Sequence, residues 1–147
     1  MPGAIPVEKL ADFVSGTIER LEDAPMPMGD LVDLAQQSVI KNFEGSESPD
    51  GRPWPPRKIK GDGHPLLIDT GTLFGAATGL GFGGIVEVGR REAEIGVSGA
   101  AVPYAAIHNN GGETRPMPQR EYMGMREEDI EQGQELLADF CLRFFDR

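Results

Sequence analysis

The chain has 147 residues, with 24 Asp and Glu against 14 Lys and Arg, a formal charge of −10, and a surplus of 20 Gly and 12 Pro. This length is typical of a single domain, 1–147, that buries about two-thirds of its unfolded surface. One cysteine excludes an internal disulfide and a multi-cysteine metal site, the lack of an apolar run of about 20 residues excludes a membrane span, and the acidity argues against general nucleic-acid binding.

Two amphipathic helices are predicted at the start of the chain. From Val7 to Leu21, apolar residues recur in steps of three and four, which traces one stripe on a helix. Two prolines end this helix, and Asp30 is placed to cap a second one whose apolar face extends to Phe43. The start of the chain lacks a basic segment followed by an apolar one, so we expect a protein made in the cytoplasm.

A long Pro- and Gly-rich loop is predicted over 44–65, where neither helical nor strand periodicity is present. Structureless loops of this length are uncommon inside a domain and are usually functional or disordered. Trp54 favours docking over disorder, because a large ring usually finds a surface to bury it. The loop also concentrates basic side chains, which indicate either a solvated surface or a contact with an acidic partner or with nucleic acid. These are Arg52, Arg57, Lys58 and Lys60.

The middle of the chain predicts a turn and then a β-hairpin. Residues 66–69 are expected to be extended, with a turn at Gly71 and a helical turn at Leu73. The glycines of 79–84 match GxGxxG in spelling, but a strand pattern follows them instead of a helix, which indicates flexible strand entry and not a nucleotide site. Alternating apolar residues within 85–97 predict the hairpin.

The last third predicts a short helix from Tyr104 to His108 and a long helix beginning near Met125. Three acidic residues near the start of the long helix suit its positive end. Cys141 lies among apolar residues, so we expect a buried and inert thiol. We expect this C-terminal helix to pack on a small antiparallel sheet, which gives an α+β fold with two N-terminal helices.

Catalysis has few candidates. His64 and His108 are the two imidazoles of the chain, and neither lies at metal-ligand spacing. One alternative is a small hydrolase or nuclease in which His108 meets Asp69 or Glu121 within hydrogen-bond reach. Another is a cellular adaptor domain that binds peptides as a monomer or dimer. We expect no catalytic, cofactor or metal site.

Five motifs occur in a fixed order. They are Phe43; Pro49-Asp50-Gly51 with Trp54 and Pro55; Leu67-Ile68-Asp69-Thr70-Gly71 with Leu73; Tyr104 to Gly112; and Pro118-Gln119-Arg120 with the four residues that follow. Together they resemble the phage virion morphogenesis family of tail-completion and head–tail joining proteins, over about residues 28–147. We interpret the following motif residues as structural: Asp50, Gly51, Asp69, Gly71, Tyr104, His108, Gly112 and Arg120.

The resemblance implies a non-enzymatic structural protein of the virion tail or neck, made in the host bacterial cytoplasm. It further implies a ring, hexameric by family likeness, that completes the tail tube and joins it to the head connector, with DNA only as passing cargo. The net charge raises the hypothesis of an acidic lumen. We interpret the 44–65 loop as the arm that contacts neighbours, so Trp54→Ala is expected to weaken assembly without unfolding the subunit. The interface residues are Trp54, Pro55, Arg57, Lys58 and Lys60.

Overall fold

A computed structural model describes residues 7–58, 63–112 and 117–145, with the side chain of Phe145 left out. In these residues the elements follow in the order α1 (Val7–Asp23), α2 (Met28–Gly45), α3 (Thr72–Ala77), β1 (Gly84–Val88), β2 (Ala93–Val97), α4 (Ala105–Asn110) and α5 (Glu127–Phe145). The α+β class predicted from the sequence is confirmed.

The N-terminal helices agree with the apolar spacing, and their ends differ from prediction by a few residues. Helix α2 begins at Met28, so Asp30 lies inside the first turn and does not cap it. A carboxylate there still interacts favourably with the positive end of the helix dipole. The helix continues to Gly45 and ends at Ser46, whose φ of 51° is left-handed. The loop therefore starts at Ser46, two residues later than the predicted start at residue 44.

The core is built around Phe43, which is fully buried on α2. Its ring meets Trp54 and Phe74 edge-on at centroid distances of 5.7 and 5.3 Å and lies 5.2 Å from the ring of Tyr122. The Tyr122 hydroxyl donates a hydrogen bond of 2.7 Å to the carbonyl oxygen of Ala105, and burial raises its pKa to about 12. The motif segments are thus held together by one aromatic cluster.

The predicted hairpin is confirmed, and β1 pairs antiparallel with β2 in the register Val86↔Ile95 and Glu87↔Glu94. The sheet contacts α2 and α3. The main contact of α5 is with α2, so the expectation that the C-terminal helix packs on the sheet is wrong in this detail. The helix presents to α2 a row at helical spacing that contains Asp129 and Gly133.

Two other expectations fail for local reasons. The expected extended stretch of 66–69 is instead a turn over 65–68, with Leu67 at a positive φ of 63° and the Ile68 amide donating to the Pro65 carbonyl, followed by a bend at Asp69. Cys141 is exposed. Cys141 directly follows Phe140 on α5. Because one residue turns about 100° around a helix, Cys141 lies outside the row that α5 presents to α2.

The glycine-rich stretch between α3 and β1 is closely packed. A Cβ on Gly81 would lie 3.0 Å from the backbone of Gly75, and one on Gly84 would lie 2.7 Å from the carbonyl oxygen of Ala76. The absence of side chains therefore allows backbone segments to touch. This differs from the flexible strand entry that the sequence indicated.

Gly79→Ala is expected to destabilise the subunit by about 1–3 kcal/mol, because Gly79 has a φ of 76° and a Cβ there would lie 2.4 Å from a methyl carbon of Val86. Chemical denaturation measures the loss. Gly96→Ala is the matched control, since a Cβ on Gly96 meets no atom within 4 Å. Equal midpoints for both variants would contradict the packing role of Gly79.

Candidate functional site

Three of the five motifs of the family resemblance, those that contain Asp69, Tyr104 and Arg120, line one open cleft of about 460 Å³. The turn before α3 forms one wall, and α4 with the segment that precedes α5 forms another. Ligand pockets commonly have volumes of roughly 300–1,000 Å³. The polar side chains that line the cleft include Arg57, His64, Asp69, Tyr104, His108 and Arg120.

Arg120 links three segments of the cleft. Its backbone N–H donates to the carbonyl oxygen of His108 at 2.8 Å. Its guanidinium donates from Nε to the Pro55 carbonyl at 2.9 Å and from Nη2 to the Pro56 carbonyl at 3.2 Å. The residue is 8% exposed. Arg120 thus fastens the long loop to the end of α4.

Arg57 brings a second guanidinium to the same cleft. Its Nη2 donates to the carbonyl oxygens of His64 and Pro65 at 2.6 and 2.9 Å and lies 2.9 Å from Nδ1 of His64. Burial lowers the pKa of Arg120, and the nearby charge of Arg57 lowers it further. Among the described residues, no carboxylate lies within salt-bridge distance of either guanidinium. Because Asp69 is the one carboxylate among the described residues that line it, the cleft has a net positive charge.

His108 is held by packing. Its ring meets the Tyr104 ring edge-on at 5.9 Å, and its Nδ1 is buried without a hydrogen-bond partner in the described chain. Burial lowers the pKa of His108, and the charge of Arg120 acts in the same direction. Asp69 instead lies 3.9 Å from Nε2 of His64. The described residues thus form no hydrogen-bonded pair of His108 with Asp69 or Glu121, which the hydrolase alternative requires.

Trp54 does not lie on the surface. Its side chain is 4% exposed, and its Nε1 donates to the Glu121 carbonyl at 3.0 Å. Docking of the ring is observed, but onto the subunit's own core, so we revise its assignment as an anchor for a neighbour. Pro55 and Lys58 are exposed, and Lys60 lies outside the described residues. A partner contact by these residues stays a prediction.

The remaining motif residues shape turns. Gly51 and Gly71 have φ values of 85° and 82°, which favour glycine, and Gly71 directly precedes α3. The Asp50 carboxylate accepts from the backbone N–H of Arg52 at 3.2 Å and from its Nε at 2.6 Å. The Gly112 amide donates to the Met117 carbonyl.

The family model for the phage virion morphogenesis family matches residues 5–140 of the chain. The chain belongs to the phage virion morphogenesis family. No curated protein and no solved structure gives a significant match. Membership gives the chain a role in building the virion, and the match begins earlier than the motif resemblance did, so it includes α1.

The part of this virion morphogenesis protein that the structure describes contains neither a cluster of metal-ligating residues nor a helix that could span a membrane. No group of three or more His, Cys, Asp and Glu residues is arranged to hold a metal ion. Over the same residues, none of the helices combines the length and apolar character needed to cross a bilayer.

A buried polar network that sequence reasoning missed joins α2 to α5 in the virion morphogenesis protein. Asp129 is 1% exposed and accepts hydrogen bonds from the Ser38 hydroxyl at 2.6 Å and the Lys41 ammonium at 2.9 Å. Arg126 donates to Asn42 at 3.1 Å and to Glu47 at 2.7 Å. These pairs are 79 to 91 residues apart in sequence, so no local pattern reveals them.

Proposed function

We propose that this protein is a non-enzymatic component of the phage neck or tail end that assembles as a homo-oligomeric ring, completes the tail tube and joins it to the head connector. Family membership supports a place in virion assembly. The single observation that carries the ring is the exposed apolar stripe of α1. The tail-tube and connector contacts rest on the family resemblance.

The stripe of α1 is not covered within the subunit. The helix has no buried residue, and its large apolar side chains from Val7 to Ile18 are between 46% and 78% exposed, while Leu21 is half-buried. Contiguous exposed apolar surface usually marks an interaction site. The stripe consists of Val7, Leu10, Val14 and Ile18, with Phe13 beside it.

A second copy of this chain is the occupant that we propose for the stripe. The turn before β1 exposes another apolar surface, where Leu80 is 77% and Phe82 is 82% exposed. Two different patches on one subunit suit a head-to-tail contact, which closes into a ring when the rotation between neighbours permits it. The charge of −10 per subunit opposes premature association, and acidic side chains that face the lumen of the ring would let DNA pass without adhering.

Val14→Asp tests the ring. Burial of one Val side chain contributes about 1.5–3 kcal/mol, so we expect at least about a tenfold loss of self-association, measured by sedimentation with and without isolated tail tubes. Thermal unfolding should change little, since Val14 is 46% exposed. When Val14→Asp replaces the wild-type protein in a phage complementation assay, the phage yield should fall in parallel with the loss of self-association.

Lys9→Asp is the matched control, because it places the same new side chain on the opposite side of α1 and alters net charge more. It should assemble like the wild type. Equal loss in both variants would show that charge, and not the stripe, governs association. A wild-type protein that forms no ring and does not cap tail tubes would contradict the proposed function.

A further inference from the structure

The cleft lined by Arg57 and Arg120 holds two guanidiniums that form no ion pair with a described carboxylate, and Asp69 is the one acidic residue among the described residues of its lining. Both guanidiniums donate to backbone carbonyl oxygens. By contrast, Arg126 pairs with two carboxylates at 2.7 and 3.0 Å. Withdrawing a charge from water is costly unless an opposite charge compensates it. A guanidinium fork matches the geometry of a carboxylate, so the cleft is suited to an incoming carboxylate group.

The hairpin carries the complementary charge. Glu87 lies directly opposite Glu94, and Glu92, two residues before Glu94, shares their face of the sheet. All three are exposed, and none is within salt-bridge distance of a basic side chain in the described residues. Like charges directly opposite each other destabilise a strand pair. A cation brought to this face would relieve the repulsion.

The basic residues of the hairpin itself are engaged elsewhere. Arg90 donates to the Asp23 carbonyl at 2.9 Å, and Arg91 donates to the Leu21 carbonyl at 2.7 Å, both at the end of α1. These two arginines therefore form no ion pair with Glu87, Glu92 or Glu94. We call Glu87, Glu92 and Glu94 the acidic face, and Arg57 with Arg120 the basic cleft.

We propose that the acidic face of one copy docks on the basic cleft of the next copy. The two surfaces belong to different elements of the subunit and share no residue, so the contact is head-to-tail and propagates around a ring. The proposal rests on the ring of the proposed function and identifies one of its contacts. A duplex phosphate is a less suitable occupant, because the chain carries a charge of −10.

Charge reversal tests the contact with two variants. The first carries Glu87→Lys with Glu94→Lys. Two like charges still lie opposite each other, so the repulsion within the hairpin stays similar. The second carries Arg57→Glu and avoids Arg120, which fastens the long loop. Each variant alone is expected to lose at least tenfold in association with itself, measured by sedimentation at low salt with and without tail tubes.

Mixing the two variants should restore association. At one contact the new Lys side chains of the first variant face the new Glu side chain at position 57 of the second, and at the next contact the native acidic face of the second variant meets the native basic cleft of the first. A chain that carries all three substitutions should also associate with itself. Glu131→Lys with Glu135→Lys on α5 is the control for the same change in net charge, and it should not affect association.

Failure of the mixture to associate better than either variant alone would overturn the contact. Unchanged association of both variants would also overturn it. If Arg57→Glu lost binding to a short DNA duplex while its association stayed intact, the contact would be overturned and the cleft would be assigned to phosphate. If Val14→Asp abolishes the ring while charge reversal does not, the proposed function stands and this contact falls. A wild-type protein without rings on tail tubes contradicts both.

Discussion

Trp54→Ala is expected to lower the free energy of unfolding by about 3–5 kcal/mol, the range found when large aromatic side chains are removed from a core. The ring is almost fully buried and meets Phe43 edge-on. Its removal also leaves the Glu121 carbonyl without the Nε1 donor. Total stabilities are about 5–15 kcal/mol, so this loss removes a large share of the stability of a subunit near the low end of that range.

Chemical denaturation of the full chain, followed by circular dichroism, measures the effect. Trp54→Phe should recover part of the loss, since a ring stays against Phe43 while the hydrogen bond to Glu121 is missing. Phe82→Ala is the matched control for removal of an aromatic ring, because Phe82 is 82% exposed. If Trp54→Ala kept the wild-type denaturation midpoint but failed to assemble, the indole side chain would belong to an interface between subunits, as the sequence first indicated.

Asp129→Ala is expected to cost about 3 kcal/mol, the low end for breaking a buried ion pair. The carboxylate is buried, and its loss removes acceptors from the Lys41 ammonium and the Ser38 hydroxyl. Lys41 is still 35% exposed, so water can hydrate part of its charge, which keeps the expected loss at that end of the range. The cost falls on the packing of α5 against α2.

A double-mutant cycle with Lys41→Met isolates the ion pair from the other effects of Asp129→Ala. The coupling should be favourable and measurable by chemical denaturation. Asp139→Ala, an exposed acid on the same helix, should change stability by less than about 0.5 kcal/mol. Equal costs for Asp129 and Asp139 would show that the buried network does not hold α5.

Local patterns predicted the elements whose residues contact close neighbours in sequence. The stripe of α1 and the alternation of the hairpin are such patterns, and both elements lie where the sequence places them. The burial of α5 was mispredicted because it depends on α2. A polar residue, Asp129, occupies its buried row, while the apolar Cys141 lies outside. Hydrophobic periodicity cannot detect a buried row that contains a carboxylate.

The candidate site was predicted residue by residue but not as a site. Asp69, Tyr104, His108 and Arg120 came from the family resemblance, and Arg57 came from the basic character of the loop. Their meeting in one cleft depends on long-range contacts, such as that of Arg120 with Pro55, 65 residues away. Trp54 was expected to dock, but a sequence cannot distinguish docking on a neighbour from docking on the subunit's own core.

The attachment of α1 has a consequence for the ring that we propose. The helix buries no residue, and its C-terminal end is tied by the bonds from Arg90 and Arg91 and by the Arg20 guanidinium over the Phe144 ring at 5.2 Å. Reorienting it would cost those surface contacts, about 1 kcal/mol for each hydrogen bond, and would open no gap in the core. In the ring that we propose, a subunit so built would adjust the angle of α1 to its neighbour while its core stays rigid.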